Sequence, residues 1–128
     1  MKTEFLELLN EVCKYTTFQE IKDFIKKYFN KKDINLDLFN LKKHRLFDNQ
    51  YSTQIYICNE DLVATIDDKW IKFHLIDVNN HDSVNNSIIC FNQNNKLEIF
   101  LNINFGTISN PKYYLIKQEN ISFIITLM

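Results

Sequence analysis

From Lys96 to Phe105 the chain reads KLEIFLNINF, with Leu97, Ile99, Leu101, Ile103 and Phe105 alternating with Glu98, Phe100, Asn102 and Asn104. Period-two alternation of this length sends five large apolar side chains to one face of a strand rising about 3.3 Å per residue. Shorter stretches of the same kind surround it. Thr53 to Cys58 and Leu62 to Asp67, joined by Asn59, Glu60 and Asp61, predict a hairpin. Trp70 to Ile76 predicts a strand with Ile71, Phe73 and Leu75 on its apolar face and Trp70, Lys72 and His74 opposite. Ser87 to Phe91, Tyr113 to Lys117 and Ile121 to Leu127 complete the set, with connections at Asn92 to Asn95 and at Gln118 to Asn120. Asp77 to Asn86 is a polar loop in which side-chain amides, which tolerate left-handed turns, stand in for glycine.

The first thirty residues follow the helical period instead. Thr3 can cap a helix in which Phe5, Leu8, Leu9 and Val12 recur, ending near Tyr15. Thr17 and Glu20 form a capping box ahead of a stripe of Phe18, Ile21, Phe24, Ile25, Tyr28 and Phe29, with Lys22, Asp23, Lys26 and Lys27 opposite and Lys31 and Lys32 at the C-terminal end. Asp33 to Gln50 fits either period: Ile34, Leu36 and Leu38 alternate, while Leu38, Leu41 and Arg45 suit a helix. The pattern therefore predicts one α+β domain over residues 1–128, an N-terminal amphipathic helix pair packed on a mostly antiparallel sheet of six to seven strands.

Composition adds little. The 128 residues, 45% hydrophobic and 24% charged, describe an ordinary folded domain, and the excess of Asn, Ile, Lys and Phe over Gly, Pro and Ala matches A/T-rich codons of a microbial genome. Glu4 and Glu7 near the start and the absence of a long apolar run predict a cytoplasmic protein off the membrane. Cys13, Cys58 and Cys90, odd in number and without CxxC spacing, read as small buried hydrophobes.

The motif inventory predicts no catalytic residue, cofactor or metal. Gly106 stands alone, so a glycine-rich phosphate loop and a G-x-S-x-G elbow are both excluded, and no HExxH, EF-hand or zinc spacing occurs. Cys90 with His74 is the one nucleophile and base pair to test; packing of Cys90 in an apolar strand and exposure of His74 is the competing expectation. Asp67 and Asp68 read as a polar turn before Trp70 rather than as paired carboxylates, because adjacent strand residues point to opposite faces.

Charge is uneven although the net is −1. Residues 1–47 balance to +3, residues 48–95 to −5 and residues 96–128 to +1. The acidic block holds Asp48, Glu60, Asp61, Asp67, Asp68, Asp77 and Asp82 against Lys69 and Lys72. Such a patch is either a solvated rim or an encounter surface for a basic partner. Trp70, the only tryptophan, and Phe100 fall on polar faces, so each is an interface anchor or, if Asp33 to Gln50 covers that face, core. Lys26, Lys27, Lys31, Lys32, Lys42, Lys43, His44 and Arg45 could line a phosphate stripe, but the helical lysines alternate with acids on an expected solvent face, so nucleic acid is the weaker reading.

The helix pair LELLNEV and TFQEIKDFIKKYF ahead of the strands, the acidic turns NED and DD, and the small size resemble the immunity proteins of bacterial toxin–immunity pairs, of the contact-dependent growth inhibition type. That resemblance implies a one-to-one complex with a cognate toxin domain, often a nuclease, whose active site or substrate groove is blocked. Glu60, Asp61, Asp67, Asp68, Trp70, Lys72, His74, Asp77 and Asp82 would then form the partner-binding set. The alternative is a small-ligand module, or a small enzyme on a cone-like α+β fold with His74, Asp67 or Tyr56 in a cavity.

Overall fold

The structure is a computed structural model that describes residues 3–31, 54–59, 62–75, 86–103, 112–119 and 121–122. Two helices, α1 (Thr3–Val12) and α2 (Phe18–Tyr28), precede eight strands: β1 (Asn30–Lys31), β2 (Gln54–Asn59), β3 (Leu62–Ile66), β4 (Trp70–Leu75), β5 (Ser87–Gln93), β6 (Lys96–Ile103), β7 (Lys112–Gln118) and β8 (Ile121–Ser122). All neighbours pair antiparallel, and their order in the sheet is their order in the chain. The expected α+β architecture is present. The two outermost strands are described over two residues each, residues 123–127 of the strand expected at Ile121 to Leu127 lying outside the described residues, and β1 takes Lys31 out of the helix C-terminus assigned to it from sequence. The segment Asp33 to Gln50 lies outside the described residues.

The capping box forms as the sequence dictates. The Thr17 hydroxyl accepts from the Glu20 backbone N–H at 3.2 Å and also hydrogen-bonds the Glu20 carboxylate at 3.0 Å, satisfying a helix-start donor that has no intrahelical partner. From there Phe18, Ile21, Ile25 and Phe29 face inward. They join Phe5, Leu8, Leu9 and Val12 of α1 in one cluster with Tyr56, Leu62, Ala64, Ile66, Ile71, Phe73, Ile88, Cys90, Leu97, Ile99, Leu101, Ile103 and Ile116 of the sheet. Ring contacts carry the packing across layers, Phe29 lying 5.9 Å from Phe73. Truncating a fully buried phenylalanine such as Phe73 to alanine costs about 3–5 kcal/mol. The strand at Lys96 keeps its apolar face, with Leu97, Ile99, Leu101 and Ile103 all buried against the helix pair.

The other sheet face is buried in part as well. Ile55, Val63, Thr65, Ser87, Ile89 and Asn102 are all buried on it, and β3 is buried at every position, the pattern of a strand covered on both sides.

Three local features depart from the sequence reading, each for a backbone reason. The β5–β6 connection is two residues long, not four: Gln93 pairs with Lys96, and Asn94 and Asn95 take φ of 54° and 61°. Two successive positive φ angles make the tight turn that suits a right-twisted hairpin, and asparagine reaches them without glycine. Between Ile57 and Asn59 the β2–β3 register shifts, leaving Cys58 as the extra residue of a bulge and exposed instead of buried. Between β6 and β7 a second shift pairs Ile99 with Lys117 but Phe100 with Leu115. The bulge turns Ile116 and Lys117 toward the same face, so Lys117, 3% exposed, reaches the end of α1 and donates to the Cys13 carbonyl at 2.7 Å and the Tyr15 carbonyl at 2.5 Å. A cation there suits both the unpaired helix-end carbonyls and the helix dipole.

Candidate interaction surface

Antiparallel register decides which predicted site residues can meet. In β4, Ile71 and Phe73 face the helices, so Trp70, Lys72 and His74 occupy the opposite face. Trp70 pairs across to Phe91, and His74 to Ser87. The Lys72 ammonium lies 4.5 Å from the Trp70 ring centroid, a cation–π contact, and Phe91 meets Phe100 edge-on at 5.9 Å and 85°. Trp70 and Phe100 are half-buried, while Phe91 is 37% exposed. An aromatic row thus crosses β4, β5 and β6, rooted in the sheet and open to solvent at Phe91.

Asp67 and Asp68 form the turn entering this strand. The Asp67 N–H donates to the Trp70 carbonyl at 2.8 Å, and the Asp68 N–H to the Asp67 carboxylate at 2.5 Å. The reading of these two residues as a polar turn is correct. They share a cleft with Lys22 and Lys26 of α2, so at this end of the sheet the acidic surface meets basic side chains. Sequence reasoning saw Lys22 as part of a solvent face and Lys26 as that or part of a phosphate stripe; their helical spacing was legible, but their approach to a turn some forty residues later was not. Phe91 was likewise missed, since it closes an otherwise apolar run.

Glu60, Asp61, Asp77 and Asp82 lie outside the described residues. His74, expected to be exposed, is half-buried, and its Nε2 shares a 3.1 Å hydrogen bond with the hydroxyl of buried Thr65 on the adjacent strand.

The structure separates the residues considered for chemistry. Cys90 pairs with Ile71 and Ile99 and points into the helix-facing core, whereas His74 points to the other face, so they cannot form a nucleophile and base pair. Burial pushes the Cys90 thiol far above its ordinary range, which further disfavours the thiolate. Tyr56 is also in the helix-facing core, away from His74, with its hydroxyl 3.4 Å from Gln54 Oε1. Beyond His74 the polar row continues through Ser87, Asn102 and Tyr113 in register, and the buried Asn102 Oδ1 has no hydrogen-bond partner among the described residues. No group of three metal-ligating side chains, and no helix long and apolar enough to cross a membrane, occurs among the described residues.

Comparison with known proteins gives no match to any family model, curated protein or solved structure.

Proposed function

We propose that this chain is a cytoplasmic immunity protein that binds one cognate bacterial toxin domain and neutralises it by occupying its active site or substrate groove, with no chemistry of its own. One observation supports the reading. Trp70 carries Lys72 over its ring, stands opposite the partly exposed Phe91, and follows directly on the Asp67–Asp68 turn. Tryptophan is enriched among the anchors of protein-binding hot spots, and charged side chains beside it suit the rim of such a site. If the toxin is a nuclease, carboxylates of the 60–82 region take the place of nucleic-acid phosphates against its Lys and Arg side chains.

The test is affinity capture of the tagged protein from its native cells at low and high salt, followed by mass spectrometry. A stoichiometric protein that is toxic when expressed alone and harmless when co-expressed with this chain is the expected result. An empty eluate, or nucleic acid in place of protein, refutes the reading. Trp70→Ala then separates anchor from core: loss of capture with the melting temperature retained is expected, and a large fall in stability with capture intact contradicts the anchor role.

A further inference from the structure

Register carries one row of side chains across five strands on the sheet face turned away from the helices. Trp70 of β4 pairs with Phe91 of β5, Phe91 with Glu98 of β6, Glu98 with Gln118 of β7, and Gln118 with Ile121 of β8. Residues directly opposite in antiparallel strands share a face, and strands about 4.8 Å apart stretch this row over about 19 Å. Farther along the same strands Ile89 and Asn102 are buried, whereas in this row Phe91 is 37% exposed, Ile121 is 64% exposed and Gln118 is open to solvent.

Glu98 stands half-buried in the row between Phe91 and Ile121, and it makes no hydrogen bond or ion pair among the described residues. The cations around it are engaged elsewhere. Lys96, two residues earlier on the same face, pairs with Glu119 at 3.3 Å, and Lys72 lies two strands away over the Trp70 ring at 4.5 Å. A half-buried carboxylate has given up part of its hydration, and here no protein donor replaces it. A donor carried by another molecule therefore meets a group already partly desolvated and held on a paired strand.

Two side chains could answer it. Lysine brings a compact, strongly hydrated point charge. Arginine brings a plane that gives two parallel hydrogen bonds to both carboxylate oxygens and a face that lies on an aromatic ring. Side chains opposite each other across strands start about 5 Å apart, so a guanidinium on Glu98 also meets Phe91, whose ring Phe100 braces edge-on at 5.9 Å. We infer that the partner protein seats an arginine on this row, its guanidinium paired with the Glu98 carboxylate and stacked on Phe91, with an apolar neighbour of that arginine covering Ile121. The inference rests on the reading that the chain binds a partner protein. It adds to that reading a carboxylate which the partner-binding set read from sequence leaves out.

The deciding experiment measures the affinity of the captured partner for the wild type, Glu98→Gln, Phe91→Ala and Asp23→Asn by calorimetry in about 0.15 M salt, where exposed charges farther apart than about 8 Å are largely screened. Glu98→Gln removes the charge, keeps the shape and breaks no internal hydrogen bond, so the fold is retained, which a melting curve checks. Glu98→Gln and Phe91→Ala should each weaken binding by about tenfold or more. Asp23→Asn makes the same charge change on the exposed side of α2, across the sheet, and should stay within about twofold of the wild type. Phenylglyoxal labelling of the partner with peptide mass mapping then locates the group: one arginine should be protected in the saturated wild-type complex and reactive again in the Glu98→Gln complex. Binding of Glu98→Gln within about twofold of the wild type, equal weakening by Asp23→Asn, or no protected arginine overturns the arginine seat and leaves the partner reading standing. Failure of the wild type to capture any stoichiometric protein overturns both.

Discussion

Replacing Lys117 by methionine isolates an unusual buried cation, a lysine 3% exposed whose ammonium holds the end of α1 through the Cys13 and Tyr15 carbonyls. Methionine keeps the apolar stem and its packing, so what is lost is the charge and two charge-assisted hydrogen bonds. The carbonyls left behind set the magnitude. An unsatisfied buried acceptor costs about 1–3 kcal/mol, and because Cys13 and Tyr15 are only half-buried, water can relieve part of that. Releasing the ammonium from a desolvated site offsets a further share. The expected net loss is about 2–3 kcal/mol, or roughly 6–15 °C in melting temperature for a chain of this length. Urea unfolding followed through the fluorescence of Trp70, the only tryptophan, reads it directly as a lower midpoint with unchanged slope. Lys96→Met is the control, since its ion pair with Glu119 at 3.3 Å is well exposed on both sides and should be worth under about 1 kcal/mol. A Lys117→Met loss below about 0.5 kcal/mol, or no larger than the control, would refute the view that the β7 bulge aims this cation at the helix end.

Three further outcomes follow from the same geometry. Under native conditions iodoacetamide should label Cys58 first, Cys13 slowly because burial raises its thiol pKa, and Cys90 only on unfolding; peptide mass mapping checks the order, and early labelling of Cys90 would contradict its place in the core. Asn95→Val should cost about 1–2 kcal/mol and Asn95→Gly should not destabilise, because φ of 61° is strained for a β-branched residue and free for glycine; denaturant midpoints of the two variants test this. Hydrogen bonds from Thr17 and Thr16 hold the Glu20 carboxyl below its ordinary 4.5, and Lys14 and Tyr15 do the same for Glu11. A depressed folded-state pKa contributes stability that is present above the unfolded value and lost as pH falls through the folded one, so the Glu11→Gln, Glu20→Gln double variant should show a shallower loss of melting temperature below about pH 4.5.

Much of the fold was legible in the sequence because local periodicity is a backbone property. The capping box at Thr17 and Glu20, the inward Phe18, Ile21, Ile25 and Phe29, and the alternation from Leu97 to Ile103 each follow from residue spacing alone, whereas Tyr28, placed in the same helical stripe, is 62% exposed and Phe24 only half-buried, because they sit at the edge of that face. Less of the candidate surface was legible. The sequence put Trp70, Lys72 and His74 on one strand face and Asp67 and Asp68 in the turn before it, but did not foresee Phe91 across from Trp70 or Lys22 and Lys26 sharing a cleft with the two aspartates. Those juxtapositions join elements far apart in the chain and depend on strand register and helix docking, which no local pattern encodes.

What the sequence determined by itself was therefore most of the elements, though not β1 at Asn30–Lys31, their apolar faces and the lack of a glycine-rich phosphate motif. Tertiary structure alone decided that the strands pair in chain order and that bulges at Cys58 and Ile116 expose one cysteine and turn Lys117 inward. It also decided that His74 bonds Thr65 on the face away from Cys90. A single inserted residue in a strand reverses which side every later side chain faces, and its position is set by the pairing partner as much as by the strand that carries it.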